Sequence, residues 1–290
     1  MIYSAEIKSE PMFLPYKIKS EEIQNLVEGN LINSSFLKEY SELKEMVENN
    51  VDEQQIKADL IKGVTVQEQW FPVDKVPPFD VFISHSHKDV EKYIKPLASW
   101  LYSNLGLRCF IDSLFWQYAD KLQNMMDKCY AQRAKGKYDY NIRNYTTSHV
   151  YTMLSMALMK MMSRTECVLF VDSDNSIMYQ KGQSQTPSPW IYAEISFAQN
   201  LQMTIPNRYL QRLAPVYESG GKIQLRTYSN SHKMNIMYDV DLSQFYEISA
   251  DTLFSNKRNG NLGKEALDYL HEKALEKFER GINKKRFIYG

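Results

Sequence analysis

The sequence predicts an α/β protein whose core is a flavodoxin-like, doubly wound parallel sheet. Two observations predict this class. Short apolar runs at 79–84, 107–112 and 166–172 have the length and residue content of buried strands. Stretches with apolar residues at helical spacing separate them, and strands that alternate with helices form a parallel sheet covered by helices. At 290 residues, 43% of them hydrophobic, the chain is long enough for a substantial core.

The charge balance and the cysteines exclude several classes of protein. Basic and acidic residues both number 35, so no net charge favours nucleic acid or an anionic membrane as a partner. No stretch approaches the ~20 apolar residues of a membrane span, and residues 1–8 lack the pattern of a secretory signal. The three cysteines, at 109, 129 and 167, are too widely spaced to indicate a disulfide framework or a zinc site. We therefore expect a protein of the reducing cytoplasm, with neither nucleic-acid nor membrane partners.

Residues 1–77 differ in character from the rest of the chain. Apolar residues at helical spacing run from 23 to 47, interrupted at Gly29, and a second helical pattern covers 52–60. Prolines at 77 and 78 mark the entry to the strand patterns. The sequence thus predicts a helical N-terminal extension over 1–77, whose role in docking, autoinhibition or packing stays open. It also predicts a solvated C-terminal tail over 281–290.

The first strand, a helix and the second strand form the predicted start of the sheet. After the strand at 79–84, the sequence SHKD at 86–89 fits a capping box that opens a helix. Apolar residues between 90 and 101 give this helix a buried stripe. Pro96 lies within it and predicts either a kink or a later helix start. The strand at 107–112 then completes a right-handed crossover unit.

A methionine-rich insertion at about 116–165 separates the second strand from the third. It contains helical patterns at 120–130 and 151–162, joined by a polar, tyrosine-rich connection at 131–148. We interpret its methionines as packing residues. After the third strand, a polar loop at 173–176 and a flexible excursion at 181–187 precede another helix. Further strands are predicted at 213–217, 223–227 and 234–240, with a turn at 220–221, and a closing helix at 263–278.

The segment SPWIYAE at 188–194 has the features of a helix start. Ser188 is a good N-cap, and Pro189 suits the first helical position, where no N–H is needed. Trp190 and Glu194 are four residues apart, so they lie on one helix face. An aromatic surface beside a carboxylate can stack a planar ring and meet positive charge beside that ring. The alternative interpretation is structural, with a core tryptophan and a solvated glutamate.

Polar loops at 84–88, 112–117 and 172–176 follow the three strands, and the helix at 188 begins beyond the third. In doubly wound sheets, ligands bind past the carboxyl ends of the strands. We therefore expect Ser84 and Asp112 to bind ribose or phosphate-edge groups of a ligand, and Trp116 to close over it. The alternative for Ser84 and Asp112 is turn chemistry, and for Trp116 it is core packing.

Other chemistries have weaker patterns. His85 and His87 lack a further ligand at metal spacing, so we predict no metal site. Asp172 and Asp174 are placed to cap and turn the chain rather than to hold a cation. Glycine-rich phosphate loops do not follow the three strands, which disfavours a Rossmann or P-loop nucleotide site. A receiver-like signalling domain would use a strand-terminal aspartate such as Asp112, but the rest of its pocket is not evident.

Four segments, in this order, resemble the TIR (Toll/interleukin-1 receptor) family. The sequence FDVFISHSHKD at 79–89 resembles the first strand and loop of a TIR domain, CFID at 109–112 the second strand entering the BB loop, and CVLFV at 167–171 the third strand. The pattern of Ser188, Trp190 and Glu194 is similar to the family's serine–tryptophan–glutamate signature. The resemblance is strong over 79–115 and 166–200 and implies a TIR-like domain over 78–280. The long insertion departs from a compact TIR domain.

The resemblance implies one of two functions. Many bacterial TIR proteins cleave NAD+ at the nicotinamide–ribose bond, and some cyclise the product into a signal of anti-phage defence. In such enzymes the glutamate at the position of Glu194 is catalytic. Animal TIR adaptors instead mediate protein assembly. The motifs look closest to bacterial TIR proteins, so we expect an NAD+ nucleosidase, and the alternative is a scaffold that self-associates or binds a partner around 112–117.

The expected reaction assigns roles to the site residues. Cleavage of an N-glycosidic bond to a pyridinium passes through an oxocarbenium-like ribose, and nicotinamide leaves as a neutral base without a general acid. Glu194, which we expect to be ionised and favoured by the helix dipole, stabilises that positive charge. NAD+ is the substrate, so no cofactor is expected, and further partners are a second copy of the chain and an effector reached by the nucleotide product. The expected substrate-binding residues are Trp190, Ser84, Asp112, Trp116 and Ser188.

Overall fold

The computed structural model describes residues 14–49, 52–62, 67–180, 183–201, 206, 208 and 237–288. The strands predicted at 213–217 and 223–227, with the turn at 220–221, lie outside the described residues. The strand predicted at 234–240 lies partly within them and appears as the short strand Tyr238–Asp239.

Strands and helices are numbered here in chain order. The strands are β1 (Leu14–Lys19), β2 (Val81–Ser84), β3 (Cys109–Ile111), β4 (Gln132–Ala134), β5 (Lys137–Tyr138), β6 (Cys167–Asp172), β7 (Met178–Gln180), β8 (Gln183–Thr186), β9 (Tyr238–Asp239) and β10 (Tyr246–Glu247). The helices are α1 (Ser20–Val27), α2 (Ser34–Glu48), α3 (Glu53–Lys62), α4 (Gln67–Trp70), α5 (Lys95–Leu105), α6 (Ser113–Met126), α7 (Tyr140–Arg164), α8 (Pro189–Asn200), α9 (Ala250–Arg258) and α10 (Lys264–Ile288).

A five-stranded parallel sheet in the order β10-β1-β6-β2-β3 forms the centre of the fold, which confirms the α/β class. Side chains alternate between its two faces, as the period of a strand requires. Phe82, Phe110 and Phe170 pack on one face with helices α6, α7 and α8. Ile83 and Val171 pack on the other with α1, α5, α9 and α10. Helices therefore cover both faces, and β2, β3 and β6 are apolar up to their carboxyl ends, as in buried parallel sheets.

Strand β1 lies inside this sheet, between β6 and β10. It pairs with β6 along its whole length, from Leu14 opposite Cys167 to Lys19 opposite Asp172. The prediction of an entirely helical N-terminal extension was wrong for this segment. Its sequence LPYKIK carries a proline and two lysines, which are typical of loops and sheet edges. The lysines are tolerated because Lys17 and Lys19 reach Glu247 at the end of β10.

A buried chain of polar groups ties β1 to the end of the protein. The Tyr16 hydroxyl lies 2.5 Å from His271 Nδ1, and His271 Nε2 lies 2.9 Å from Glu166 Oε1. The Lys264 ammonium is 3.2 Å from the other oxygen of Glu166, and Arg208 also contacts that carboxylate. Because buried polar groups are costly unless they are paired, this chain holds β1, the start of β6 and α10 in one arrangement.

The first crossover differs from its prediction in two details. Helix α5 begins at Lys95 with Pro96 in its first turn, which confirms a later helix start. The predicted capping box at 86–89 was wrong, because the Ser86 side chain makes no capping hydrogen bond. Asp89 instead accepts hydrogen bonds from Ser173 and Asn175, at 2.5 and 2.7 Å. Those contacts join the ends of β2 and β6.

The insertion is more helical than predicted. Helix α6 begins at Ser113, so the predicted loop at 112–117 was wrong except for Asp112. Phe115 and Tyr118 explain the difference, since both pack against Phe71 in the core and are spaced for a helix. The connection predicted at 131–148 consists of the hairpin β4–β5 and the first turns of α7. The hairpin β7–β8 forms most of the predicted excursion at 181–187, and α10 confirms the closing helix.

The position of β1 generates a stability prediction. Ile18 is fully buried in the middle of the sheet, so Ile18→Ala should lower the free energy of unfolding by about 2–5 kcal/mol. The control is Leu31→Ala, because Leu31 is 96% exposed and its change should stay within about 0.5 kcal/mol. Urea unfolding followed by circular dichroism measures both. Equal, small effects would contradict a central position for β1.

Candidate active site

Helix α8 begins as the sequence predicts. The Ser188 side chain accepts a hydrogen bond from the backbone N–H of Ile191 at 3.3 Å, and Pro189 is the first helical residue. Ser188 is therefore the N-cap of this helix, and its hydroxyl oxygen accepts a hydrogen bond from the helix backbone. Glu194 follows in the second turn, on the side of α8 that faces the sheet.

Three of the predicted site residues come together at the carboxyl edge of the sheet. The Ser84 hydroxyl, at the end of β2, donates a hydrogen bond to Glu194 Oε2 at 2.5 Å. Asp112 directly follows β3, whose Ile111 pairs with Ile83 next to Ser84, and the charge of Asp112 acts on Glu194. All three side chains are buried, and Glu194 is only 2% exposed. The alternative of a solvated glutamate was wrong, because α8 turns this side chain toward the strand ends.

His85 completes this buried group. Its Nδ1 lies 2.9 Å from Asp112 Oδ1 and 3.0 Å from the carbonyl oxygen of Ile83. Burial lowers the pKa of His85, so the ring is neutral near pH 7, and its Nδ1–H donates to the carbonyl oxygen of Ile83. Its Nε2 has no hydrogen-bond partner among the described residues. From the sequence, His85 was considered only as a metal ligand, and its contact with Asp112 was not predicted.

The surroundings of Glu194 shift its pKa. Burial raises the pKa of Glu194 well above its ordinary value, and the charge and hydrogen bond of Asp112 raise it further. The Ser84 hydrogen bond and the nearby His85 oppose this rise but do not reverse it. A helix dipole contributes only about 0.3–1 kcal/mol, which is less than the usual cost of burying a charge. This shift of the pKa of Glu194 is in the direction opposite to the expectation that its carboxyl is ionised in the ligand-free protein.

The rim of the site is built by the insertion. The Trp190 ring is half-buried, and its centroid lies 5.6 Å from that of Tyr151 on α7. The Tyr151 hydroxyl donates to Asp120 Oδ1 on α6 at 2.9 Å. Burial and this hydrogen bond raise the pKa of Tyr151 to about 12. Neither Tyr151 nor Asp120 was predicted from the sequence as a site residue. A helix that begins at Ser113 would have placed Asp120 two turns later, on the same helix face as Ser113.

The other predicted site residues have different positions. Trp116 lies in the first turns of α6 rather than in a loop, and its role in closing over a ligand stays a prediction. Asp172 accepts a hydrogen bond from the Tyr179 hydroxyl, beside β7 rather than in the buried group. His87 is exposed, and its ring centroid is 6.3 Å from that of His85. In the described part of the chain, no three potential metal ligands are grouped so that they could hold an ion.

Known proteins provide no further guide to this site. Comparisons with protein-family models, with curated proteins and with solved structures find no match. No described helix has the length and the apolar content needed to cross a membrane. The geometry of the site is therefore the basis on which a function is inferred.

The raised pKa of Glu194 generates a prediction about stability and pH. In the unfolded chain Glu194 ionises near pH 4.5, whereas the native site keeps its proton to higher pH. The contribution of this proton to the free energy of unfolding is therefore complete below pH 4.5. It is lost as the pH rises through the pKa of Glu194 in the native protein. Glutamine can accept from Ser84 and donate to Asp112 as the protonated acid does, without titrating.

At pH 5, the melting temperature of Glu194→Gln should therefore equal that of the wild type or lie below it. At pH 8, it should lie several degrees higher relative to that of the wild type. A difference of about 1 kcal/mol corresponds to about 2–4 °C for a chain of this size. Differential scanning fluorimetry between pH 5 and 8 measures the trend. The control is Glu45→Gln on the exposed side of α2. A pH-independent difference between Glu194→Gln and the wild type would show that Glu194 does not hold an extra proton.

Proposed function

We propose that this protein is an NAD+ glycohydrolase or cyclase of the TIR type, which cleaves the nicotinamide–ribose bond. One observation carries the proposal: Glu194 meets Ser84 and Asp112 at the carboxyl edge of a parallel sheet, with Trp190 one turn away on the same helix. NAD+ is the substrate, and no cofactor takes part. The product is an ADP-ribose-derived signal in bacterial anti-phage defence, acting on a downstream effector in the cytoplasm.

The strand order supports a ligand site at this position. Following the chain, β2 pairs with β3 on one side, and the later strand β6 pairs with β2 on the other. We take this reversal of winding at β2 as that of a flavodoxin-like, doubly wound sheet, in which β1 is an additional strand beyond β6. Such a switch point opens a crevice at the carboxyl ends of the strands, and ligands bind there. Ser84 is the last residue of β2 and faces that crevice through its contact with Glu194.

The residue types suit the cleavage of an N-glycosidic bond. Once ionised, Glu194 stabilises the positive charge that develops on the ribose as neutral nicotinamide departs. Ser84 and Asp112 supply hydrogen-bonding groups for ribose hydroxyls. Trp190, supported by Tyr151, provides a flat wall against which the nicotinamide ring stacks. No residue has to act as a general acid, because the leaving group needs no proton.

A non-enzymatic scaffold is the second candidate function. The observation that favours it is the burial of Glu194, because a carboxyl bonded to Ser84 and 2% exposed can serve the fold alone. In this case the protein acts by self-association or by binding a partner, with the residues at 112–117 as part of the interface. These residues form the start of α6, so the interface would be a helix end rather than a loop.

An NAD+ turnover assay tests the enzymatic proposal. Purified protein should release nicotinamide from NAD+, and Glu194→Ala should reduce the rate at least about 100-fold, since an electrostatic stabiliser contributes on this scale. Glu45→Gln should keep full activity. Mass spectrometry of the product separates hydrolysis from cyclisation. Turnover that survives intact in Glu194→Ala, or a wild type that neither binds nor cleaves NAD+, would favour the scaffold.

The aromatic wall provides a separate test. Trp190→Ala should raise the KM for NAD+ about tenfold, because an aromatic stack contributes about 0.5–1.5 kcal/mol beyond area burial. Trp190→Phe keeps a ring against Tyr151 and should recover most of the affinity. Steady-state kinetics of the two variants measures the difference. An equal loss in both variants would point to a structural role for Trp190.

A further inference from the structure

We infer that Asp112 and Glu194 form a carboxyl pair that holds one shared proton in the ligand-free protein and releases it when a pyridinium cation binds. This inference rests on the proposed function and adds to it a role for Asp112 as the positioning residue that sets the charge of Glu194. It also names the chemical feature that the site selects, which is the positive ring of the oxidised dinucleotide.

The sheet brings the two carboxyls to the same place, because Glu194 is bonded to Ser84, and Ser84 and Asp112 follow the paired residues Ile83 and Ile111. Both side chains are buried at the same strand ends, and two ionised carboxylates would repel each other there. Ser84 donates to Glu194 Oε2, whereas Glu194 Oε1 receives no hydrogen bond from a nitrogen or hydroxyl donor of the described residues. A proton shared with Asp112 satisfies Glu194 Oε1 and removes one of the two charges. Coupled carboxyl pairs of this kind titrate as a unit.

Among the described residues, no lysine or arginine acts on the pKa of Glu194. His85, from the loop after β2, is neutral, and its Nδ1 lies 2.9 Å from Asp112 Oδ1. Asp89, whose charge acts on His85, is engaged with Ser173 and Asn175 from the loop after β6. From α7, Tyr151 faces Trp190 and is bonded to Asp120. In the described part of the chain, Glu194 has no lysine or arginine among the groups that shift its pKa.

A pyridinium ring placed against Trp190 supplies that missing charge. Its positive charge favours the ionised form of the pair, so the O–H bond of the pair breaks and the proton passes to the solvent. The same event ionises Glu194, which is the form needed to stabilise the oxocarbenium-like ribose. NADH has the same nucleotide groups but a neutral dihydronicotinamide ring. The structure therefore links proton release to the redox state of the ligand.

Titration calorimetry with a non-cleavable ligand tests the inference. The probe is the carbocyclic analogue of NAD+, which keeps the pyridinium but lacks the ribose ring oxygen. At pH 7, in two buffers of different ionisation enthalpy, the wild type should release close to one proton on binding the analogue and close to none on binding NADH. Because one proton is released, the Kd for the analogue should fall about tenfold per pH unit between pH 5 and the pKa of the pair.

Two variants separate the pair from other sources of protons. Glu194→Gln should bind the analogue without releasing a proton. Asp112→Asn should release less than the wild type, because the effect of burial on the pKa of Glu194 remains and only the part due to Asp112 is lost. Glu45→Gln should behave as the wild type. The infrared carbonyl band of a protonated carboxyl, present in the ligand-free wild type at pH 7 and lost in Glu194→Gln, reports the pair without any ligand.

The outcomes distinguish this inference from the proposed function. Binding of the analogue without proton release overturns the shared proton, while the cleavage of NAD+ would still support the enzymatic proposal. Equal proton release with NADH overturns the role of the pyridinium charge. Failure to bind any dinucleotide overturns the proposed function together with the ligand-linked step, and an infrared band that persists in Glu194→Gln overturns the carboxyl pair.

Discussion

Strand β6 must bury all six of its side chains, and the rest of the structure is arranged around that requirement. Its residues alternate between the two faces of the sheet, with Phe170 in one core cluster and Leu169 in the other. Both of its edges also need hydrogen-bonding partners. Strand β2 satisfies one edge and carries Ser84 to the site, and β1 satisfies the other. The N-terminal strand is thus part of the same sheet as the site.

Buried polar groups have different kinds of partners at the two ends of the sheet. At the amino end, the chain from Tyr16 through His271 to Glu166 gives each group a partner and joins distant parts of the sequence. At the carboxyl end, Glu194 has one hydroxyl donor and a second carboxyl as neighbours. A hydrogen-bond network in which every buried group is paired stabilises a fold. A functional site is expected where buried polar groups are left with incomplete hydrogen bonding.

Much of the sheet and part of the site could be predicted from the sequence. Strands β2, β3 and β6 are recognisable because buried parallel strands are continuous apolar runs, and their carboxyl ends share an edge, which places Ser84 near Asp112. Strand β1 could not be recognised, because its lysines are paired by Glu247, more than two hundred residues away. The pair of Tyr151 and Asp120 was hidden for the same reason, since it joins two helices of the insertion. The protonation of Glu194 depends on burial and on a partner from another strand, which no local pattern shows.

A comparison of two buried glutamates clarifies what the site lacks. Glu166 and Glu194 are both almost completely buried. Glu166 is surrounded by Lys264, His271 and Arg208, so the protein itself provides the counter-charge. Glu194 faces a hydroxyl, a neutral imidazole and another carboxyl. A buried carboxylate is stable only when it is paired, and burial beside a second carboxyl raises the pKa of Glu194. A bound cation would restore the balance, which is why an acidic, closed site of this kind suits a substrate whose reacting ring carries a positive charge.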